Sequence, residues 1–420
     1  MLRSGARQYT SAMYAEQQPL LDEANRIGEQ TWFRDVIRRH CPLLPSGVPT
    51  EDLNTRIHPN DQMLLHSLRH HGDAQVALSQ YYNVAFQQFF VAQQIINRVF
   101  GSTGADLDIL DFACGFGRML RFQSLITPPE HLYASEIQDD AVAFVTSEFG
   151  VRGIPSHIEP EQFDPGRAFD VIWVASLFSH LPEALFHRWI QRLTHLLTPD
   201  GILCFSVHDA SLLPEGLDLP DNGILFGPDS EIDHLPEGTY GTTYVSERFV
   251  AGALETAVGA DRPWIRLPRA LAHEQDVYVV PGAAARDLSE LSGFRRGPWG
   301  WTDERRIDAD GIYLRGWAAS LDDGPPEQVD IRINGDVHHC PTGLTREDVA
   351  AAFHDPRLAG SGWEFRAPSP RTGPIQIEVS AASSVPGENA LLYTGTHRLP
   401  RPASRFGLGG LWARLRARHG

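Results

Sequence analysis

The sequence predicts an α/β protein. Its central unit is a parallel sheet covered by helices, preceded by an N-terminal helical cap and followed by a C-terminal β-sandwich-like domain. Three observations lead there. Between 107 and about 207, short apolar runs alternate with segments of helical periodicity. Up to 104 the patterns are helical, broken by proline. Beyond 304, strand-like runs are separated by turn residues. At 420 residues, 42% hydrophobic and 21% charged, the chain is long enough for two or three folded units.

Residues 1–104 read as the cap. Short helical stretches with breaks such as CPLLPSGVP (41–49) lead to a stronger helix. Asp73 caps it, Leu78, Tyr82, Phe86, Phe89, Ile96 and Phe100 recur mostly at three or four residues, and Gly101 ends it. Residues 105–282 read as the α/β unit. LDILDFA (107–113) is its first strand and GRMLRFQSLI (117–126) a helix; HLYASEI (131–137) is a strand, and Asp139 to Phe149 a helix closed by Gly150. FDVIWVA (169–175) is nearly all apolar, as a strand inside a parallel sheet must be. Pro182 opens the next helix, with Leu185, Trp189, Leu193, Leu196 and Leu197 on its buried face. TPDG (198–201) turns into the strand ILCFSVH (202–208). Residues 209–243, rich in Pro, Gly and Asp, read as a lid-like insertion. Ser246 caps a helix through Val258, and 264–267 and 276–280 are two closing strands.

Residues 283–303 read as a linker and 304–400 as the β-rich accessory domain. Asn334-Gly335 is a hairpin signal, and Thr345 with Asp348 forms a capping-box pattern. The last 20 residues, 401–420, carry five Arg and no acid. This basic tail is either a frayed, solvated end or a weak contact with a membrane surface.

Composition excludes several chemistries. The 53 acidic against 36 basic residues give a formal net charge of −17, which argues against nucleic acid as a partner. All the cations are Arg. Without Lys there is no Schiff base, no Walker-type phosphate loop and no lysine base. The four cysteines are far apart, with no CxxC pair, which fits a reducing cytoplasm better than a disulfide scaffold and gives no structural zinc pattern. The N-terminus has no apolar core of signal type, and no run of 18 apolar residues exists, so no transmembrane segment is expected.

The chemically informative stretch is Asp111-Phe112-Ala113-Cys114-Gly115-Phe116-Gly117-Arg118, between a strand and a helix. Glycines there let the backbone approach a ligand, and the helix N-terminus aims amide hydrogens at it. Glu136 ends the next strand, where a carboxylate can accept hydrogen bonds from a ribose diol. FDVIWVASLFSHLPE and LTPDG follow in order. With these landmarks, 105–282 resembles the class I S-adenosylmethionine-dependent methyltransferases. The resemblance implies a Rossmann-like seven-stranded domain with S-adenosylmethionine as cofactor. It implies that Asp111, Ala113, Cys114, Gly115 and Gly117 hold the methionine part. Glu136 holds the ribose, with Ile137 beside it. His157, between Ser156 and Ile158, lies near adenine, and Ser176 and Leu177 line the pocket. Ala113 replaces the family's first glycine, and the acid often found near adenine is missing. NAD is the rival ligand, but its GxGxxG fingerprint finds no third small residue after Gly115 and Gly117.

Methyl transfer from a sulfonium is an in-line displacement, and a hydroxyl acceptor also needs a base. His180 and His208 lie just past strand ends, with Asp209 beside His208 as orienter. The same three residues have the make-up of a facial metal site, although no metal is expected. The plainer readings are that His180 caps a helix and that His208 and Asp209 form a turn. Tyr82, Tyr240 and Tyr244 are candidate substrate contacts or packing residues. Cys114 is a packing residue rather than a nucleophile, and His338, His339 and Cys340 are surface. Trp317 and Trp363 are either a sugar platform or sandwich core.

The accessory segments GWAAS, QVDIRINGD, DVAAAFHDP and SGWEF loosely resemble β modules appended to bacterial glycosyltransferases and other surface-glycan enzymes. Residues 62–100 and YGTTYVSERF look like methyltransferases of bacterial polysaccharide or glycolipid assembly. The expectation is a cytoplasmic O-methyltransferase acting on a sugar hydroxyl of a glycan or glycolipid, with glycan-assembly enzymes as candidate partners. The alternatives are C- or N-methylation of a small metabolite, or a non-catalytic cofactor-binding scaffold.

Overall fold

In the computed structural model, residues 11–228, 235–370 and 373–399 are described. Four helices precede the first strand: α1 (Ser11–Gly28), α2 (Thr31–His40), α3 (Gln62–His71) and α4 (Ala74–Phe100). As the sequence predicts, the Asp73 carboxylate accepts the backbone N–H groups of Gln75 and Val76, and Gly101 ends α4 in the left-handed region, φ 69°.

The strands that follow are β1 (Ile109–Phe112), β2 (Leu132–Glu136), β3 (Arg152–Pro155), β4 (Phe169–Val174), β5 (Leu197–Asp209), β6 (Ile224–Gly227), β7 (Thr242–Val245), β8 (Ile265–Leu271) and β9 (Gln275–Pro281). They form one nine-stranded sheet. β3, β2, β1, β4 and β5 are parallel neighbours in that order; β9 runs antiparallel to β5, and β8 antiparallel to β9. β6 lies within the expected insertion and β7 runs past its end at 243; this hairpin pairs with the end of β5, His208 opposite Tyr244 and Asp209 opposite Val245. The other seven strands make the Rossmann-like sheet.

Its two faces are both buried. Ile109, Val171 and Cys204 enter one core, and their successors Leu110, Ile172 and Phe205 the other. This is why these strands read as unbroken apolar runs. The first face packs on α4 and α6 (Asp139–Phe149), the second on α7 (Glu183–His195) and α8 (Glu247–Val258). Ser246 caps α8 through the Phe249 N–H. Two local expectations differ. The helix read over 117–126 shortens to α5 (Leu120–Gln123) between turns, and TPDG belongs to β5, which begins at Leu197.

The C-terminal region holds two antiparallel sheets. One has the order β10 (Pro298–Ile307), β11 (Ile312–Ser320), β14 (Gly362–Ala367). The other runs β13 (Asp336–Pro341), β12 (Gln328–Ile333), β15 (Pro374–Ala382), β16 (Asn389–Arg398). Asn334 (φ 49°) and Gly335 (φ 98°) make the expected two-residue hairpin. β10 starts inside the stretch read as linker. The Thr345 capping box does not form: α9 (Glu347–Phe353) starts at Arg346 without a side-chain cap, and Asp348 pairs with Arg346. Trp363 is fully buried in the sandwich core and cannot be a sugar platform; Trp317 packs against Phe353.

This domain is fastened to the rest. Val76 of α4 enters its core, Ser79 Oγ accepts the Thr394 N–H at 2.9 Å, and Glu378 meets His40 at 3.1 Å and Arg39 at 2.5 Å. The tail 401–420 lies outside the described residues. Among the described residues, no helix is long and apolar enough to cross a membrane.

Candidate functional site

A cavity of ≈ 540 Å³ opens at the carboxyl ends of β1, β2, β4 and β5, where parallel sheets place ligands. The turn after β1 forms its floor. Ala113 (φ 58°), Gly115 (φ 55°) and Gly117 (φ 74°) are all left-handed. A Cβ on Gly117 would stand 2.6 Å from Phe149 Cε2 of α6, so only glycine lets the turn lie against that helix. Gly117 shapes the floor, while Ala113, Cys114 and Gly115 line it. Burial pushes the Cys114 thiol up, with Asp111 and Glu136 adding to it, so Cys114 is not a thiolate nucleophile.

Two buried carboxylates face this turn. Glu136 Oε2 accepts the Gly115 N–H at 2.9 Å, and Oε1 accepts those of Ile137 at 2.7 Å and Gln138 at 3.3 Å. Burial raises its pKa and the three N–H groups oppose that rise. Oε2 keeps lone-pair capacity for a further donor. Asp111 is pushed up to about 8 by burial and then by the Glu136 charge, with Arg118 opposing. Arg118 also lines the cavity, its Nε donating to Gln88 Oε1 at 3.2 Å. Ile137, His157, Ser176 and Leu177 complete this half.

The other half holds His180, His208, Tyr240 and Gln275 from the sheet side, and Asp61, Met63 and His66 from the start of α3. Tyr240 stacks on His180 with centroids 4.7 Å apart and planes at 13°. His180 Nδ1 lies 2.6 Å from the Gly241 carbonyl. A carbonyl only accepts, so Nδ1 carries the proton and the Nε2 of a neutral ring is basic. His208 stands edge-on to His180 at 6.1 Å. Burial, then the His180 charge, lowers it to about 4, and the Thr243 backbone opposes this.

Three residues differ from their expected roles. Asp209 does not orient His208. β5 continues through both residues, and adjacent side chains of a strand point to opposite faces. Asp209 accepts the Ser211 N–H at 2.9 Å and pairs with Arg266 at 2.9 Å. The facial metal triad is thereby lost, and among the described residues no group of three His, Cys, Asp or Glu could hold a metal. Tyr82 does not face the cavity either. It is fully buried, donating to the Thr55 carbonyl at 3.2 Å and accepting from Arg121 at 3.2 Å. Tyr244 packs its ring 5.4 Å from His208, behind the cavity wall.

Sequence reading passed over Arg118, although it stood in the quoted motif. Gln275 carried no signal, since nothing local ties β9 to a site built from β4 and β5.

Residues 85–255 match a family model described as a methyltransferase domain. No curated protein matches the chain. Solved structures that resemble it include the sugar N-methyltransferase KedS8 from Streptoalloteichus, with 16% identity over 47% of this chain and 86% of that one, TM-score 0.35. CalS10, an amino pentose methyltransferase from Micromonospora echinaspora, has 16% identity over 47% of this chain and 91% of that one, TM-score 0.35. An S-adenosylmethionine-dependent methyltransferase from Clostridium acetobutylicum has 13% identity over 47% and 91%, TM-score 0.35.

Proposed function

We propose that this chain is an S-adenosylmethionine-dependent O-methyltransferase whose acceptor is a sugar hydroxyl of a bacterial glycan or glycolipid, working in the cytoplasm. The observation that carries the reading is one cavity that joins the two-carboxylate glycine turn to a carbonyl-oriented histidine.

The residues fit the cofactor. A zwitterionic amino acid end needs one anion and one cation, and Asp111 and Arg118 supply them across the floor. Glu136, with spare capacity on Oε2, takes the ribose diol. Ala113, Cys114 and Gly115 bring backbone close, Ile137 and His157 flank the nucleoside, and Ser176 and Leu177 wall the reactive end. S-adenosylmethionine supplies a methyl group on a sulfonium that departs as a neutral thioether.

The chain's own task is then alignment, exclusion of water and removal of one proton. His180 Nε2 takes the acceptor hydroxyl proton, and the Gly241 carbonyl stabilises the imidazolium through Nδ1–H. Tyr240, lying flat on His180, holds the ring and lends its face to the cation. His208 serves as a neutral wall rather than as the base, because its ring is held uncharged. The acceptor half, with Thr239 and Tyr240, offers hydroxyls suited to a polyol. The sugar assignment rests also on the glycan-enzyme resemblance of the accessory segments.

The test is transfer of labelled methyl to saccharide acceptors, followed by linkage analysis. O-methyl sugar formed by the wild type and lost in His180→Ala supports the reading. Label found only on amines or carbon overturns it.

A further inference from the structure

Gln275 opens β9, and its side chain touches three residues from two other strand ends. Its Oε1 lies 2.6 Å from Ser206 Oγ and 3.2 Å from Ser176 Oγ. Its Nε2 lies 3.0 Å from Ser176 Oγ and 3.2 Å from His208 Nε2. Ser206 Oγ accepts the Ser176 backbone N–H at 2.7 Å, and its own buried hydrogen finds its acceptor in Gln275 Oε1. The amide oxygen therefore faces Ser206 and the NH₂ faces His208. An NH₂ group only donates, so His208 Nε2 must carry the lone pair and Nδ1 the hydrogen. Nδ1 itself is buried, with no hydrogen-bond partner among the described residues.

Ser176 needs such a hold. It has φ 60°, a left-handed conformation that a serine adopts at a cost, at the bend between β4 and the His180 segment. The Ser206–Gln275 pair clamps both its N–H and its hydroxyl.

We propose that Gln275 is a positioning residue of this site: its amide fixes the His208 tautomer and, through Ser206, the strained Ser176 bend. The role rests on the methyl-transfer reading above. A His208 locked as an uncharged ring adds no positive charge of its own beside His180, whose Nε2 takes the acceptor proton in that reading. The rings packed against His208 are those of His180 at 6.1 Å and Tyr244 at 5.4 Å, and charge on His180 disfavours charge on His208.

The turn that carries Gln275 is braced from outside the sheet. Arg269, Ala272 and His273 are all left-handed, with φ 50°, 53° and 59°. Gln87 of α4 donates to the Ala270 carbonyl at 2.5 Å and accepts the Ala272 N–H at 2.6 Å. His273 stacks on Trp299 of the C-terminal domain at 5.1 Å and reaches the Gly297 carbonyl at 3.2 Å. The accessory domain thus supports the position of Gln275 through a residue two places before it.

The experiment is nitrogen-15 NMR of the histidine rings in the full chain, with His208 assigned through His208→Gln. Wild type should show an unprotonated Nε2 and a protonated Nδ1 on His208. Gln275→Glu is isosteric but only accepts at this position. It should place the hydrogen on Nε2, raise the titration midpoint of His208, and lower kcat about tenfold or more while KM for the acceptor moves less. Gln275→Leu removes both partners and should mix the tautomers. A protonated Nε2 in the wild type, or an unchanged His208 in Gln275→Glu, overturns the proposal. The ring signals do not depend on an acceptor. Absent turnover with any saccharide would remove the sugar O-methyl-transfer reading while leaving the tautomer assignment standing.

Discussion

Glu136 Oε2 accepts the backbone N–H of Gly115 at 2.9 Å, so the carboxylate at the end of β2 holds the glycine turn after β1. One side chain shapes the floor and, in the proposed reading, takes the ribose diol. Glu136→Ala removes three charge-assisted bonds to backbone N–H groups as well as the diol contact. Such bonds contribute about 1.5–3 kcal/mol each. S-adenosylhomocysteine affinity, read by calorimetry, should fall by at least about tenfold.

The two glycines of the turn should respond differently. A Cβ on Gly115 meets nothing, so Gly115→Ala incurs only the left-handed backbone cost, about 1–2 kcal/mol. Gly117→Ala adds a clash with Phe149 at 2.6 Å. Thermal unfolding should show the larger loss for Gly117→Ala, and equal losses would contradict the packing described.

Cofactor affinity should depend on pH through Asp111, held near 8 by burial and Glu136. Binding an ammonium group requires the ionised form. Affinity should rise with pH up to about 8 and flatten above it, and Asp111→Asn should remove the slope. The stability sign is opposite. The folded pKa lies above the unfolded value, so the ligand-free protein loses this contribution as pH climbs from the ordinary carboxylate range to about 8.

His180→Ala should cut turnover by about 10²–10⁴-fold, the usual loss for a general base, and leave cofactor affinity within a few-fold. His208→Gln should cost less, because burial keeps that ring neutral and its Nε2 faces Gln275.

The accessory domain should unfold with the rest of the chain. Burial raises the Glu378 carboxyl, yet His40 and Arg39 outweigh burial and hold it down at about 2. Its folded pKa is depressed, so the contribution is present above the ordinary carboxylate value and lost as pH falls toward 2. Glu378→Gln leaves buried His40 without its anion and should lower the midpoint of a single thermal transition; two separate transitions in the wild type would contradict the docking.

The cap of α4, the apolar strands, the Asn334-Gly335 hairpin and the Glu136 position were legible because each is set by a few neighbouring residues. What was missed is set at long range. Gln275 joins the site only because β9 returns antiparallel beside β5. Tyr82 looked available on one face of a long helix, but Arg121 and Thr55, from distant segments, enclose it. Asp209 failed for a nearer reason. Ending the strand at His208 hid the alternation that sends its neighbour to Arg266.

The most direct measurement is calorimetric titration of the wild type and Glu136→Ala with S-adenosylmethionine and S-adenosylhomocysteine. Micromolar binding of both ligands to the wild type and a loss in the variant are expected. No binding to the wild type, or equal binding to both proteins, would contradict it.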